Sequence, residues 1–401
     1  MLLLVSTILA GTHYSNADYY TPPVSNKQLE LVPDGEVRNV ILLIGDGMGL
    51  AQVTVAQFAG PGPDHRLHMQ RAPIAGLVNT VASDRLITDS AASGTAISTG
   101  QKTLNGAIAT LPDGTSAPTI LEIAHDQGLS TGLVVTSSVT HATPAVFASH
   151  VDVRSEQKCI ASQMTDAGVD VMLGGGRGFF LPQSTEGSYR EDEEDLIAEL
   201  REKKYTVISK REELAGVKKG KLAGFFAYGP LYMDDNYDDE PSLQEMTAKA
   251  IQLLSKNKKG FFLMVEGSQI DWACHENEVN KMVKRTLLFD MAVGEALAFA
   301  KEDGHTLVIV TADHETGGVT IPEGARDGGY LRVQFASGGH TPVQVPLFAF
   351  GPGAVAFSGV YENTDLAHKM ADALGLKGLL PKQEHEDPEE SKNPNLIMMG
   401  R

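Results

Sequence analysis

A chain of 401 residues with 42% hydrophobic content can bury a large core and is no small stapled scaffold. Its 33 basic and 51 acidic side chains leave a formal net charge of −18, which argues against a nucleic-acid backbone or an anionic membrane surface as the main partner. Two cysteines, Cys159 and Cys274, allow at most one intramolecular disulfide and exclude a four-cysteine zinc site.

Residues 1–17 read as a signal peptide or its remnant: Met1–Ala10 is an apolar run too short to span a bilayer, and Ser15-Asn16-Ala17 is a small-x-small triplet. Export to the periplasm or the extracellular space is the expectation. No later stretch has the length and apolarity of a transmembrane helix. Val40–Ile44 is a continuous run of β-branched residues and leucine, as is Thr306–Val310, and such runs suit central parallel strands covered on both faces. Weaker strand candidates are Gly132–Thr136, Val169–Leu173, Phe261–Val265 and Val345–Phe350. Between them, helical patterns cover Pro118–Gln127, Glu156–Ala167, Asp192–Lys203, Ser242–Lys256 and Val279–Lys301. This alternation predicts an α/β fold: a doubly wound, mostly parallel central sheet with helices on both faces and ligands at the carboxyl ends of the strands. Arg177–Glu194 and Met233–Pro241 read as surface loops or a small insertion. A single catalytic domain is expected over 36–378, followed by a charged, mobile tail over 382–401.

The strand ends carry the chemistry. Gly45-Asp46-Gly47-Met48-Gly49 has the wrong glycine spacing for a dinucleotide fingerprint; it either projects Asp46 from the strand end or makes Asp46 a plain turn residue. Asp313 and His314 follow the second strong strand as an oxygen and nitrogen donor pair suited to zinc. Asp271 and His275 are four apart, so a helix points both at one ion. His340 follows two glycines on a loop that approaches a ligand easily. Asp46, Glu266, Asp271 and Asp313 converge at one end of the sheet and repel one another unless cations neutralise them. The bland alternative is a set of scattered surface acids. Ser90, in Thr88-Asp89-Ser90-Ala91-Ala92-Ser93, is either a plain helix start capped by Asp89 or a nucleophile. No H-E-x-x-H occurs, Gly94–Thr103 has the wrong glycine spacing and Gln101 where a phosphate loop needs its lysine, and Cys274 reads as a buried cysteine sooner than a reactive thiol.

Taken together, Gly45–Gly49, Thr88–Ala96, Thr140-His141-Ala142-Thr143-Pro144, Glu266–His275, Ala312–Gly318 and Gly338-Gly339-His340 resemble the alkaline phosphatases in motif and in order, from about Val37 to about Leu376. The resemblance implies metal-dependent hydrolysis of phosphate monoesters with broad specificity, through a phosphoserine at Ser90, releasing alcohol and inorganic phosphate. It also implies two zinc ions and one magnesium per chain. Asp271, His275 and His340 match the ligands of a first zinc, and Asp313 and His314 those of a second zinc, which also contacts Ser90. Asp46 matches the carboxylate bridging to the third metal, held also by Thr143 and Glu266. Arg154 matches the phosphate-clamping arginine, with Asp89 expected to position it. His141 and Trp272, expected beside the substrate, stand where the enterobacterial pattern has Asp and Lys; this bears on the third metal's identity and on how tightly phosphate binds. A homodimer is implied by the resemblance alone.

A sulfatase is disfavoured, because Ser90-Ala91-Ala92-Ser93 lacks the proline and arginine of the sulfatase setting. A phosphodiesterase is the nearest enzymatic alternative, and a non-catalytic phosphate- or zinc-binding protein is the alternative outside catalysis.

Overall fold

Val40–Ile44 forms the middle of a strand that is buried along its whole length, and its two neighbours in the sheet are buried throughout as well. The computed structural model describes residues 19–231 and 239–382. The expected signal segment, positions 233–238 of the second insertion and the tail beyond 382 lie outside the described residues. In chain order the strands are β1 (Asn39–Gly45), β2 (Ile74–Asn79), β3 (Ser130–Ser138), β4 (Val171–Gly175), β5 (Tyr205–Ile208), β6 (Lys221–Phe225) and β7 (Phe261–Gly267). They continue with β8 (Thr306–Thr311), β9 (Glu315–Thr316), β10 (Val319–Gly324), β11 (Leu331–Phe335), β12 (His340–Thr341), β13 (Val345–Phe350) and β14 (Gly359–Glu362).

Ten strands make one sheet in the order β14-β2-β13-β8-β1-β7-β3-β4-β6-β5. Every neighbouring pair is parallel except those made by β13, which runs antiparallel to both β2 and β8. A hydrophobic run does not encode direction. Here the excursion after β8 leaves and re-enters the sheet at the same end, so β13 must run back.

The helices are α1 (Leu50–Ala59), α2 (Ser90–Thr99), α3 (Ile120–Asp126), α4 (Ala142–Ala145), α5 (Gln157–Asp166), α6 (Leu196–Glu202), α7 (Leu243–Leu254), α8 (Gln269–His275), α9 (Val279–Asp303) and α10 (Thr364–Leu374). All five helical patterns read from the sequence are present, with ends set by local capping. The α3 and α7 starts carry reciprocal capping boxes, Thr119 with Glu122 and Ser242 with Glu245. Asp195 caps α6, so that helix begins later than its pattern. Left-handed Gly304 stops α9. The first insertion is not wholly surface: Phe180 is buried, and the Arg190 side chain, 2% exposed, is held by Asp192, Glu194 and the Lys158 and Phe179 carbonyls. Among the described residues no helix is long and apolar enough to cross a membrane. Both cysteines are free, Cys159 exposed and Cys274 buried, and burial pushes the Cys274 thiol far above its ordinary pKa.

Candidate active site

Four adjacent central strands, β8, β1, β7 and β3, end side by side and deliver most of the predicted residues to one place. Asp46 follows β1, Asp313 and His314 follow β8, Glu266 is the penultimate residue of β7 with α8 just beyond, and His141 and Thr143 follow β3. Register holds them level, since Ile44 pairs with Glu266 on one side and with Thr311 on the other. Gly47 allows the crowding: its φ is +71°, and a Cβ there would stand 2.7 Å from Thr316 Oγ1 and 2.8 Å from the Asp271 Cα. His340 arrives from farther along the chain because β12 pairs antiparallel with β9, setting His340 opposite Thr316.

Asp271, His275 and His340 form one group of donor atoms lying within 4.8 Å of one another, as expected of a first metal's ligands. Each histidine turns Nδ1 to a backbone carbonyl, His275 to Gly338 at 2.7 Å and His340 to Thr88 at 2.8 Å. That leaves both Nε2 atoms facing Asp271, at 3.2 and 3.5 Å, in the tautomer a ligand needs. A second group is Asp46, Asp271 and His314. Asp313, the residue expected here, accepts at Oδ1 from the Gly47 and His314 amides and keeps Oδ2 3.2 Å from His314 Nε2, while Asp271 belongs to both the first and second groups. The third group is Asp46, His141 and Glu266, with Thr143 buried close by in sequence and its hydroxyl without a hydrogen-bond partner among the described residues. His141 therefore lies inside the third group and not only at the substrate's edge.

These donors fit metal binding on their own chemistry. Both Asp46 oxygens, Asp313 Oδ2 and Glu266 Oε1 are buried without a hydrogen-bond partner among the described residues. Burial, then the charges of Asp313, Asp271 and Glu266, push the Asp46 carboxyl well above its ordinary pKa. Burial also raises Glu266 to about 7 against the hydrogen bonds it receives. At Asp271 burial is outweighed by the His275 hydrogen bond and the neighbouring histidines, which hold its carboxyl below the ordinary range. Carboxylates that resist ionisation because of one another are what divalent cations relieve.

Ser90 opens α2, a helix buried from end to end by small side chains. Asp89 caps it, accepting from the Ala92 amide at 2.9 Å and from the Gly106 amide. The free amides and dipole of that helix start favour an anion. Ser90 Oγ, 2% exposed as a residue, lies 3.4 Å from His314 Nε2. Arg154 donates from Nη1 to Asp89 at 3.0 Å, the positioning contact expected of Asp89, while Nη2 meets His141 Nε2 at 3.2 Å. A guanidinium only donates, so His141 Nε2 accepts; burial first, then the Arg154 charge, lower that ring to about 3 and keep it neutral. Trp272 packs edge-on against His141, with ring centroids 5.9 Å apart.

The motifs did not mark the residues that hold the ligands. Thr316 Oγ1 donates to Asp271 Oδ1 at 2.5 Å. Buried Glu315 ties Gln52, the Gly318 and Val319 amides and Thr341 together beside His340. Their place in the Ala312–Gly318 stretch was the available signal for Thr316 and Glu315; nothing in the local sequence marks Gln52.

A family model described as alkaline phosphatase matches residues 37–330 and 330–376. Alkaline phosphatase 3 of Bacillus subtilis is 33% identical over 93% of this chain and 96% of its own length. The alkaline phosphatase of Escherichia coli K12 is 34% identical over 86% of this chain and 87% of its own. The solved alkaline phosphatase of the Antarctic bacterium TAB5 superposes with a TM-score of 0.78 at 37% identity, covering 86% of this chain and 100% of that one. With family match, relatives and strand-end acid and histidine cluster in agreement, the chain belongs to the alkaline phosphatase family, metal-dependent hydrolases of phosphate monoesters.

Proposed function

We propose that Ser90 is the nucleophile that takes up the phosphoryl group and that Arg154 clamps the phosphate, alcohol leaving first and inorganic phosphate after water attacks the phosphoserine. The observation that carries this reading is the Ser90 hydroxyl, buried at a helix start 3.4 Å from His314 Nε2. A serine hydroxyl is a poor nucleophile at its ordinary pKa and needs activation. His314 is not set up as a triad base. In a triad the orienting carboxylate binds the far ring nitrogen, whereas here Asp313 and Asp46 face the same Nε2 as Ser90, at 3.2 and 3.5 Å.

We assign a first zinc to Asp271, His275 and His340, a second to Asp313 and His314 with Asp46, and a magnesium to Asp46, Thr143 and Glu266; this is supported by the grouping of Asp271 with His275 and His340, of Asp46 and Asp271 with His314, and of Asp46 with His141 and Glu266. Bound there, the ions would supply the positive charge that activates a hydroxyl or a water and neutralises a departing oxygen. Arg154 offers a planar fork to two non-bridging oxygens, held ready by Asp89 and His141, with Trp272 bracing His141. A monoester fills that fork; a diester brings an alkyl group where the guanidinium expects charge. Homodimerisation, export and a catalytic domain over 36–378 complete the proposal. They are supported respectively by family membership, by the apolar run of Met1–Ala10 and by the extent of the family match.

The test is hydrolysis of a chromogenic aryl phosphate at alkaline pH, with and without chelator, beside the corresponding bis-ester. Ser90→Ala is expected to remove turnover by a factor of about 10³ or more while metal content stays near wild type. An inactive metal-replete enzyme would favour the binding protein, and faster cleavage of the bis-ester would favour the diesterase.

A further inference from the structure

Ser93 follows Ser90 by one helical turn and faces the same way. Its hydroxyl donates to the Asp313 backbone carbonyl at 2.6 Å and accepts from Asn363 Nδ2 at 2.9 Å. Asn363, fully buried at the start of α10, turns its Oδ1 to Lys102 Nζ at 2.7 Å. Lys102, 8% exposed, also reaches the Val81 carbonyl at 2.7 Å and Glu362 at 3.0 Å. An ammonium has donors and no acceptor. The Asn363 amide must therefore show its oxygen to Lys102 and its NH2 to Ser93, and the Ser93 proton is left to Asp313. The three bonds can run in one direction only, and bonds aligned in this way reinforce one another in a buried setting.

We propose that Lys102, Asn363 and Ser93 are positioning residues for phosphoryl transfer. They form a one-way hydrogen-bond relay that fixes the helix carrying the nucleophile to the strand-end loop carrying Asp313 and His314. The proposal rests on Ser90 being that nucleophile. The need for the relay follows from the first seven residues of α2, Ser90-Ala91-Ala92-Ser93-Gly94-Thr95-Ala96, which carry no large side chain to key the nucleophile's end of the helix in place; the buried Ile97 anchors only the far end. A displacement of about 1 Å at a reacting atom costs on the order of 10²-fold in rate, so a smooth helix beside a metal-ligand loop requires a lock. Ser93 and Ser90 are two rungs between the same elements: the first holds Asp313, and the second presents its oxygen to His314.

The decisive variants are Ser93→Ala and Asn363→Asp, singly and together, in the metal-replete enzyme. Asn363→Asp keeps the side-chain volume and the Lys102 pair but has no N–H to give Ser93, so the hydroxyl turns away from Asp313 while the fold is retained. The substrate is an alkyl phosphate, whose poor leaving group keeps phosphoryl transfer limiting. Each single change is expected to lower kcat/KM about 10- to 100-fold, and the double variant no further than the worse single one. Metal content by elemental analysis is expected to stay at the wild-type ratio. Wild-type kcat/KM in Asn363→Asp, losses that multiply in the double variant, or metal lost in step with rate would each overturn the relay. Ser90→Ala is run alongside. Wild-type turnover there would overturn the nucleophile reading and the relay with it, whereas loss there beside normal rates in the relay variants would overturn the relay alone.

Discussion

Thr316 is uncharged and sits just outside every metal-ligand group, yet its hydroxyl donates to Asp271 Oδ1 at 2.5 Å and lies 3.2 Å from His314 Nδ1. It thereby orients a ligand from the first group and one from the second. Partners of this kind are worth about 10- to 100-fold in metal affinity. Thr316→Val, which keeps the shape and removes the hydroxyl, is expected to lower affinity by that factor with little change in melting temperature. Competition with a graded series of chelators measures it, and unchanged affinity would deny Thr316 the role. The acids and histidines themselves were legible in the sequence, because strand-end position and i, i+4 spacing are local properties. Asp89 was not fully legible. Its work is divided among the Ala92 amide, the Gly106 amide and Arg154, the last of them 65 residues away, and no local pattern records such a partner.

Among the elements, those with continuous apolar runs or clear 3.6-residue periodicity were read with their ends nearly right. Most of the strands that escaped are short or half-exposed; β6 escaped although it is buried beyond Lys221, because Lys-Leu-Ala-Gly-Phe has no β-branched residue and carries a glycine. In β2 and β14 most side chains are only partly buried, and β5 spans four residues. The α3 start shows how an element's end is pinned by tertiary contact and by pH. Glu122 closes the capping box with Thr119 and also meets His150 Nε2 at 2.8 Å. Burial opposes both charges. The His150 hydrogen bond and the Thr119 bonds overcome it at Glu122 and lower that carboxyl, while Glu122 and the Ala109 carbonyl overcome it at His150 and raise that ring. The stability from His150 is present below its unfolded pKa of about 6.5 and is lost as pH rises through the raised folded value. That from Glu122 is present above about 4.3 and is lost as pH falls through the depressed folded value. Glu122→Gln is therefore expected to cost about 1 kcal/mol between roughly pH 5 and 6, after allowance for partial exposure, and less at alkaline pH. Denaturant unfolding at pH 5.5 and 9.5 checks this; an equal loss at both values would assign the whole effect to the capping box.

At the scale of the molecule, fold class could be read because fully buried parallel strands look unlike any other strand. Strand order could not, since β1 has β7 and β8 as neighbours from far along the chain and the pairing is decided by the assembled sheet. The order matters to function: it brings four strand ends together and concentrates part of the chain's −18 charge at one mouth, where cations are needed. The central claim is that this mouth delivers the phosphoryl group to one serine. The most direct test is to incubate the metal-replete enzyme with substrate, quench it in acid and map phosphate by mass spectrometry on the tryptic peptide Leu86–Lys102, which carries Ser90, Ser93 and Ser98. The account predicts phosphate on Ser90 in the wild type and on no residue in Ser90→Ala. Phosphate on another residue, or full turnover by Ser90→Ala, would contradict it.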